Sequence, residues 1–221
     1  MFAAISRADD FLHARGDFLP AFGTKRPAWW MPAIIVGFAP LYGALMGSFQ
    51  FDSAERLLQI AYSAIKAPLL LGATTILCLP VFFVINTILG LRDDFRDAIQ
   101  SILAGQAGLS VTLASLGPFT RFWYFSTEDY RAALLFNAAM FTIATAAGQL
   151  VMWRYYRILV RRNLRHVVAL ALWLVLYAFV GIQMGWILRP FIGSPGMDVT
   201  FFREGAFTNA YVVVAELIVG R

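Results

Sequence analysis

Apolar positions fall into five long blocks, separated by short charged stretches. A membrane-crossing helix needs about 17–25 mostly apolar residues to cover roughly 30 Å of hydrocarbon at 1.5 Å per residue. Runs of that kind lie at about Trp30–Phe49, Pro68–Leu91, Ala98–Phe122, Ala132–Trp153 and Val167–Leu188. The first carries Pro40 and a small-xxx-small pair, Gly43 and Gly47, that lets another helix approach closely. Between the first two blocks, Leu57, Leu58, Ala61, Tyr62 and Ile65 recur at helical spacing among Arg56, Gln59 and Ser63. That pattern predicts a short helix lying in the membrane interface, ending near Lys66 and Pro68. Pro80, in the middle of the second block, predicts a kink.

The third block is the least hydrophobic, with Gln100, Ser101, Gln106, Ser110, Thr112 and Ser115 beside Gly105 and Gly108. Small and polar residues in lipid argue for burial against neighbouring helices, which places this span at the centre of the bundle. A basic linker with Arg154, Arg157, Arg161, Arg162 and Arg165 follows the fourth block. The tail from Gly205 to Gly220 is apolar but short and holds Glu216. It reads as a surface-lying or re-entrant helix, with a sixth span as the alternative. The expected fold is an all-α integral membrane protein of about five transmembrane helices, plus an interfacial helix and a short C-terminal helix. Its divisions are a cytoplasmic segment at 1–29, the helical bundle at 30–188, and an outer-face turn and helix at 189–221.

Composition agrees with lipid as the solvent. Of 221 residues, 60% are hydrophobic and 14% charged, with a mean hydropathy of +0.68. A soluble domain carries roughly 45–50% apolar and about 25% charged residues. The net charge of +5 sits between the apolar blocks, where it sets topology, so no nucleic-acid partner is expected. Lys and Arg collect on one side, in the N-terminal segment, at Arg92 and Arg96, and in the five-arginine linker. The positive-inside rule then puts the N-terminus in the cytoplasm. The first 29 residues mix acids and bases and contain no apolar signal core, so the first span is expected to act as an uncleaved anchor.

Catalytic and cofactor patterns are not recognisable, and neither an enzyme nor a bound cofactor or metal is expected. The lone cysteine, Cys78, rules out an intramolecular disulfide. His13 and His166 lie outside mid-membrane, which argues against haem, and Lys66 reads as a helix-edge residue. The five blocks contain no Asp or Glu that would serve a proton relay. The cluster that stands out is QMGWILRPFIGSPG, Gln183 to Gly196. There Arg189, one turn after Trp186, either anchors to lipid headgroups or pairs with an outer-face acid, Asp198, Glu204 or Glu216.

The layout of a polar N-terminal segment followed by about five closely spaced spans resembles the Yip1-type family of small polytopic proteins. Pro40-Leu41-Tyr42-Gly43 echoes that family's first-span element in a different order. The stretch LYAFVGIQMGWILRPFIGSPG is similar to the end of uncharacterised bacterial polytopic proteins. The resemblance implies a membrane adaptor role in a bacterial inner membrane. The expected function is a non-enzymatic scaffold or accessory subunit binding lipids, other membrane proteins or its own kind. The alternative is a small channel or transporter with a polar path along the third span.

Overall fold

The computed structural model describes residues 30–50, 55–193, 198–203 and 205–212. Five long helices organise them: α1 (Trp30–Gly47), α2 (Glu55–Ile88), α3 (Phe95–Ser126), α4 (Tyr130–Arg162) and α5 (Arg165–Ile187), with a 3-10 turn at Arg92–Asp94 before α3. All five are long and apolar enough to cross a membrane. The chain is therefore an all-helical, multi-pass membrane protein.

Short, specific caps set the helix ends. After α2, Gly90 takes a positive φ of 72°, and Leu91 N–H donates to the Asn86 carbonyl at 2.7 Å. That closes the last turn in the manner glycine permits and most side chains resist. Asp129 caps α4 by accepting from Arg131 N–H at 2.8 Å. Asn163 ends α4 in an extended conformation, and its side chain accepts from Arg165 N–H at 3.0 Å to start α5.

Two sequence expectations are corrected here. The interfacial helix is not a separate element, because α2 runs unbroken for 34 residues through Pro68 and Pro80. Its polar positions Arg56, Gln59, Ser63 and Lys66 are buried, while Leu57, Leu58 and Ile65 are exposed. The amphipathic pattern is real, but its polar face points into the protein rather than to water. The basic linker is also helical, for α4 carries on to Arg162 and leaves only Asn163 and Leu164 as the link.

α1 lies between α2 and α3, α3 packs along α4, and α5 leans on α2. α3 is the most buried of the five, with 56% of an 18-residue apolar stretch inside. Gly43 and Gly47 face Ser63 and Gln59 of α2, and a Cβ at Gly43 would collide with the Ser63 carbonyl. Gly105 and Gly108 meet Met152 and Val151 of α4, and Gly148 of α4 faces back onto Gly105. Close backbone approach through small residues is how membrane helices gain packing contacts when lipid is as apolar as the interface. One apolar core, built on Tyr42, Leu113 and Tyr155, joins α1 to α4. A second, around Phe82, Tyr156 and Trp173, brings α5 onto α2, α3 and α4. Val36, Ile76, Leu135, Leu150, Val175 and Phe179 point outward, as expected where the surroundings are hydrocarbon.

Candidate functional site

The chain leaving α5 turns back into the bundle instead of running into solvent. Leu188 and Ile192 are buried, so the carbonyls between them need partners inside the protein. The polar face of α2 supplies most of them. Lys66 Nζ donates to the Pro190 carbonyl at 2.7 Å. Ser63 Oγ and Gln59 Nε2 both donate to the Phe191 carbonyl, at 2.5 and 3.1 Å. Tyr130, at the head of α4, donates to the Ile192 carbonyl at 3.4 Å. Lys66 also sits 4.9 Å from the centre of the Phe201 ring, and Tyr62 meets the same ring edge-on. Lys66 is therefore a fully buried residue inside α2, not the helix-edge residue its neighbour Pro68 suggests.

This returning strap, 189–193 and 198–203, covers a cavity of about 470 Å³ between α2 and α4. Its apolar lining includes Leu70 and Phe141, with Leu134 and Ala138 on the exposed flank of α4. Its rim is polar and includes Gln59, Tyr130, Asn137, Arg189, Asp198 and Arg203. Asn137 is fixed from behind, accepting from the Tyr42 hydroxyl at 2.9 Å and donating to the Tyr124 hydroxyl at 2.6 Å. From Tyr130 to Phe141 the wall descends about 17 Å along α4 at 1.5 Å per residue.

Both arginines of the rim lie over the Trp186 ring, Arg189 at 3.6 Å and Arg203 at 4.3 Å from its centre. The Nε and Nη2 atoms of each are buried and make no hydrogen bond among the described residues. Burial, with Arg203 close by, pushes the Arg189 guanidinium below its ordinary pKa. Two cations held against the same indole ring, with Nε and Nη2 donors unused among the described residues, make a site that favours an anion.

Gln183 and Trp186 also hold the start of the tail. Gln183 donates to the Thr208 carbonyl at 3.0 Å and accepts from Ala210 N–H at 2.9 Å. Trp186 Nε1 donates to Thr208 Oγ1 at 3.1 Å. Helical structure begins at Ala210 and is described to Val212. Of the acids expected to meet Arg189, Asp198 lines the same cavity, while Glu204 and Glu216 lie outside the described residues, as does the rest of the tail.

At the other end of the bundle, His166 lies at the start of α5 and is fully buried. Its Nε2 lies 3.1 Å from Asp94 and its Nδ1 3.3 Å from the Tyr156 hydroxyl. Arg162 reaches Asp94 and Asp97 at 3.4 and 3.5 Å. This cluster ties the turn before α3 to the corner between α4 and α5.

Sequence reasoning singled out Gln183, Trp186 and Arg189 but missed Lys66, Gln59, Tyr130, Asn137 and Arg203 as parts of one site. The available signal was the recurrence of polar residues at 56, 59, 63 and 66, one face of a helix, next to an apolar span. No family model, curated protein or solved structure matches this chain.

Proposed function

We propose that the protein is a non-enzymatic subunit of a bacterial inner membrane, a scaffold or accessory protein that binds lipids or other membrane proteins. The cavity under the strap carries this reading. Its rim is built by side chains from α2, α4 and the strap, while two of its lining residues, Leu134 and Ala138, belong to the exposed, lipid-facing flank of α4. A cavity with apolar depth, a few convergent polar groups and access from lipid suits an amphipathic guest. The gathering of Arg92, Arg96 and the five arginines from 154 to 165 at the end where α1 begins supports a cytoplasmic N-terminus. The cavity then faces the opposite side. An adaptor role of the Yip1 type is in keeping with this proposal.

Purification in mild detergent followed by native mass spectrometry tests the reading. The expected result is a stoichiometric lipid or a co-eluting membrane protein. A chain that carries neither, and takes up neither on reconstitution, overturns it.

One observation favours the second reading, a small channel or transporter. Buried polar residues line α2 over most of its length, from Arg56 through Gln59, Ser63, Lys66, Thr74 and Thr75 to Asn86. Among these, Gln59 Oε1, Thr74 Oγ1 and Asn86 Oδ1 have no hydrogen-bond partner among the described residues. A path along α3 has less support, because Ser101, Ser110, Thr112 and Ser115 donate to carbonyls of their own helix. Solute flux in proteoliposomes that responds to Lys66→Met would favour transport over the scaffold.

A further inference from the structure

We infer that Arg189 and Arg203, clamped over Trp186, seat the phosphodiester of a membrane glycerophospholipid, with an acyl chain of that lipid entering the cavity between α2 and α4. This rests on the binding reading above and names its ligand. Three observations carry it.

The first is charge. The two guanidiniums share the cavity lining and the Trp186 ring, and their Nε and Nη2 donors are unused among the described residues. Like charges near each other in a partly dry site are costly unless an anion joins them. A phosphate accepts from two such forks at once, with several oxygens available.

The second is shape. Below the rim the lining turns apolar through Leu70, Leu134 and Phe141, in a direction that runs down α4 toward the membrane interior. A volume of about 470 Å³ holds little more than one turn of a helix ~10 Å across. It suits a flexible hydrocarbon chain far better than a partner helix.

The third is access and level. Leu134 and Ala138 open the cavity to the exposed flank of α4, so a lipid can enter sideways with its chain in hydrocarbon throughout. Arg189 follows the last turn of α5, whose 23 residues span ~35 Å, about the thickness of the hydrocarbon core. That puts the guanidinium at headgroup level. Asp198, also on the rim, can accept from a hydroxyl or ammonium on the headgroup beyond the phosphate.

The test uses the full chain, delipidated in detergent, with its thermal unfolding midpoint followed during titration. Phosphatidylglycerol is the lipid probe. Inorganic phosphate supplies the anion without chains, and diacylglycerol supplies chains without the anion. The expected result is a saturable rise in the midpoint with phosphatidylglycerol and none with the other two. The double variant Arg189→Gln, Arg203→Gln should bind phosphatidylglycerol about tenfold or more weakly. Ala138→Phe, which narrows the mouth and leaves both arginines intact, should weaken it similarly and decides the matter if the double variant fails to fold. An equal response to diacylglycerol reduces the site to an apolar groove, and an equal response to inorganic phosphate makes it a free-anion site. Either overturns the inference, as does wild-type affinity in the double variant and in Ala138→Phe. If lipid specificity is lost while a protein partner still co-elutes, only this inference falls. If neither lipid nor partner binds, the binding reading falls with it.

Discussion

Single residues in this bundle matter according to what lies within an atom's width of them. Gly43 and Gly37 stand on the same helix, two turns apart, in different surroundings. A side chain at Gly43 meets the backbone of Ser63 and Ala64, whereas at Gly37 it meets nothing within 4 Å. Backbone cannot step aside as a flexible side chain can. Gly43→Ala should therefore cost about 1–3 kcal/mol of stability in detergent through overpacking. Gly37→Ala should be neutral or gain up to ~1 kcal/mol from helix propensity. Chemical or thermal unfolding of the two variants side by side checks this, and equal effects would show that α1 and α2 are not in close contact. The sequence marks Gly43 through its spacing from Gly47, but not the Ser63 and Ala64 backbone that it meets. His166 makes the same point, since its burial depends on Tyr156 and Asp94 arriving from other segments.

At the scale of elements, α2 is where lipid and protein interior exchange their usual signs. Its N-terminal half has the periodicity of an interfacial helix, yet the polar stripe turns inward because the strap brings unpaired carbonyls to it. Lys66 is the centre of that exchange, with its ammonium on the Pro190 carbonyl. Lys66→Met preserves length and apolar stem but leaves that carbonyl without its donor, a loss of about 1–3 kcal/mol for a buried polar group. The expected outcome is a lower unfolding midpoint, together with faster labelling of a cysteine placed at Ile192, which is 2% exposed. Unchanged labelling would mean that Ser63, Gln59 and Tyr130 hold the strap without the lysine. The element boundaries follow similar logic: charged residues do not end α4, since a helix can leave the membrane and continue in water, and only the capping geometry at Asn163 stops it.

At the scale of the whole molecule, the five spans among the described residues place the start of α1 and the end of α5 on opposite sides. One side holds the 92–95 turn and the Asn163–Leu164 link; the other holds the Thr127–Asp129 loop and the strap. With Cys78 replaced by Ala, a cysteine at Asn163 should react with a membrane-impermeant reagent only after the cell is opened. A cysteine at Thr127 should react from outside. The reverse pattern would invert the orientation and move the lipid seat to the cytoplasmic leaflet.

Five spans, their approximate limits and the central position of the third block are legible in the chain, because lipid requires each crossing segment to satisfy its backbone internally and show apolar side chains outward. Those are local demands, met within one helix at a time, and composition records them. Gln183, Trp186 and Arg189 stand out as well, at the end of a strongly apolar span. The tertiary structure alone decided which way the polar stripe of α2 faces, and that Lys66 and His166 are buried. It alone brought Arg203, Asn137 and Tyr130 to the rim of the same cavity as Arg189. Each of these depends on contacts between residues that sequence distance keeps apart, such as Lys66 with Pro190 or Tyr42 with Asn137. A hydrophobic pattern specifies that a face is polar; only the segment that packs against it determines whether that face meets water or protein.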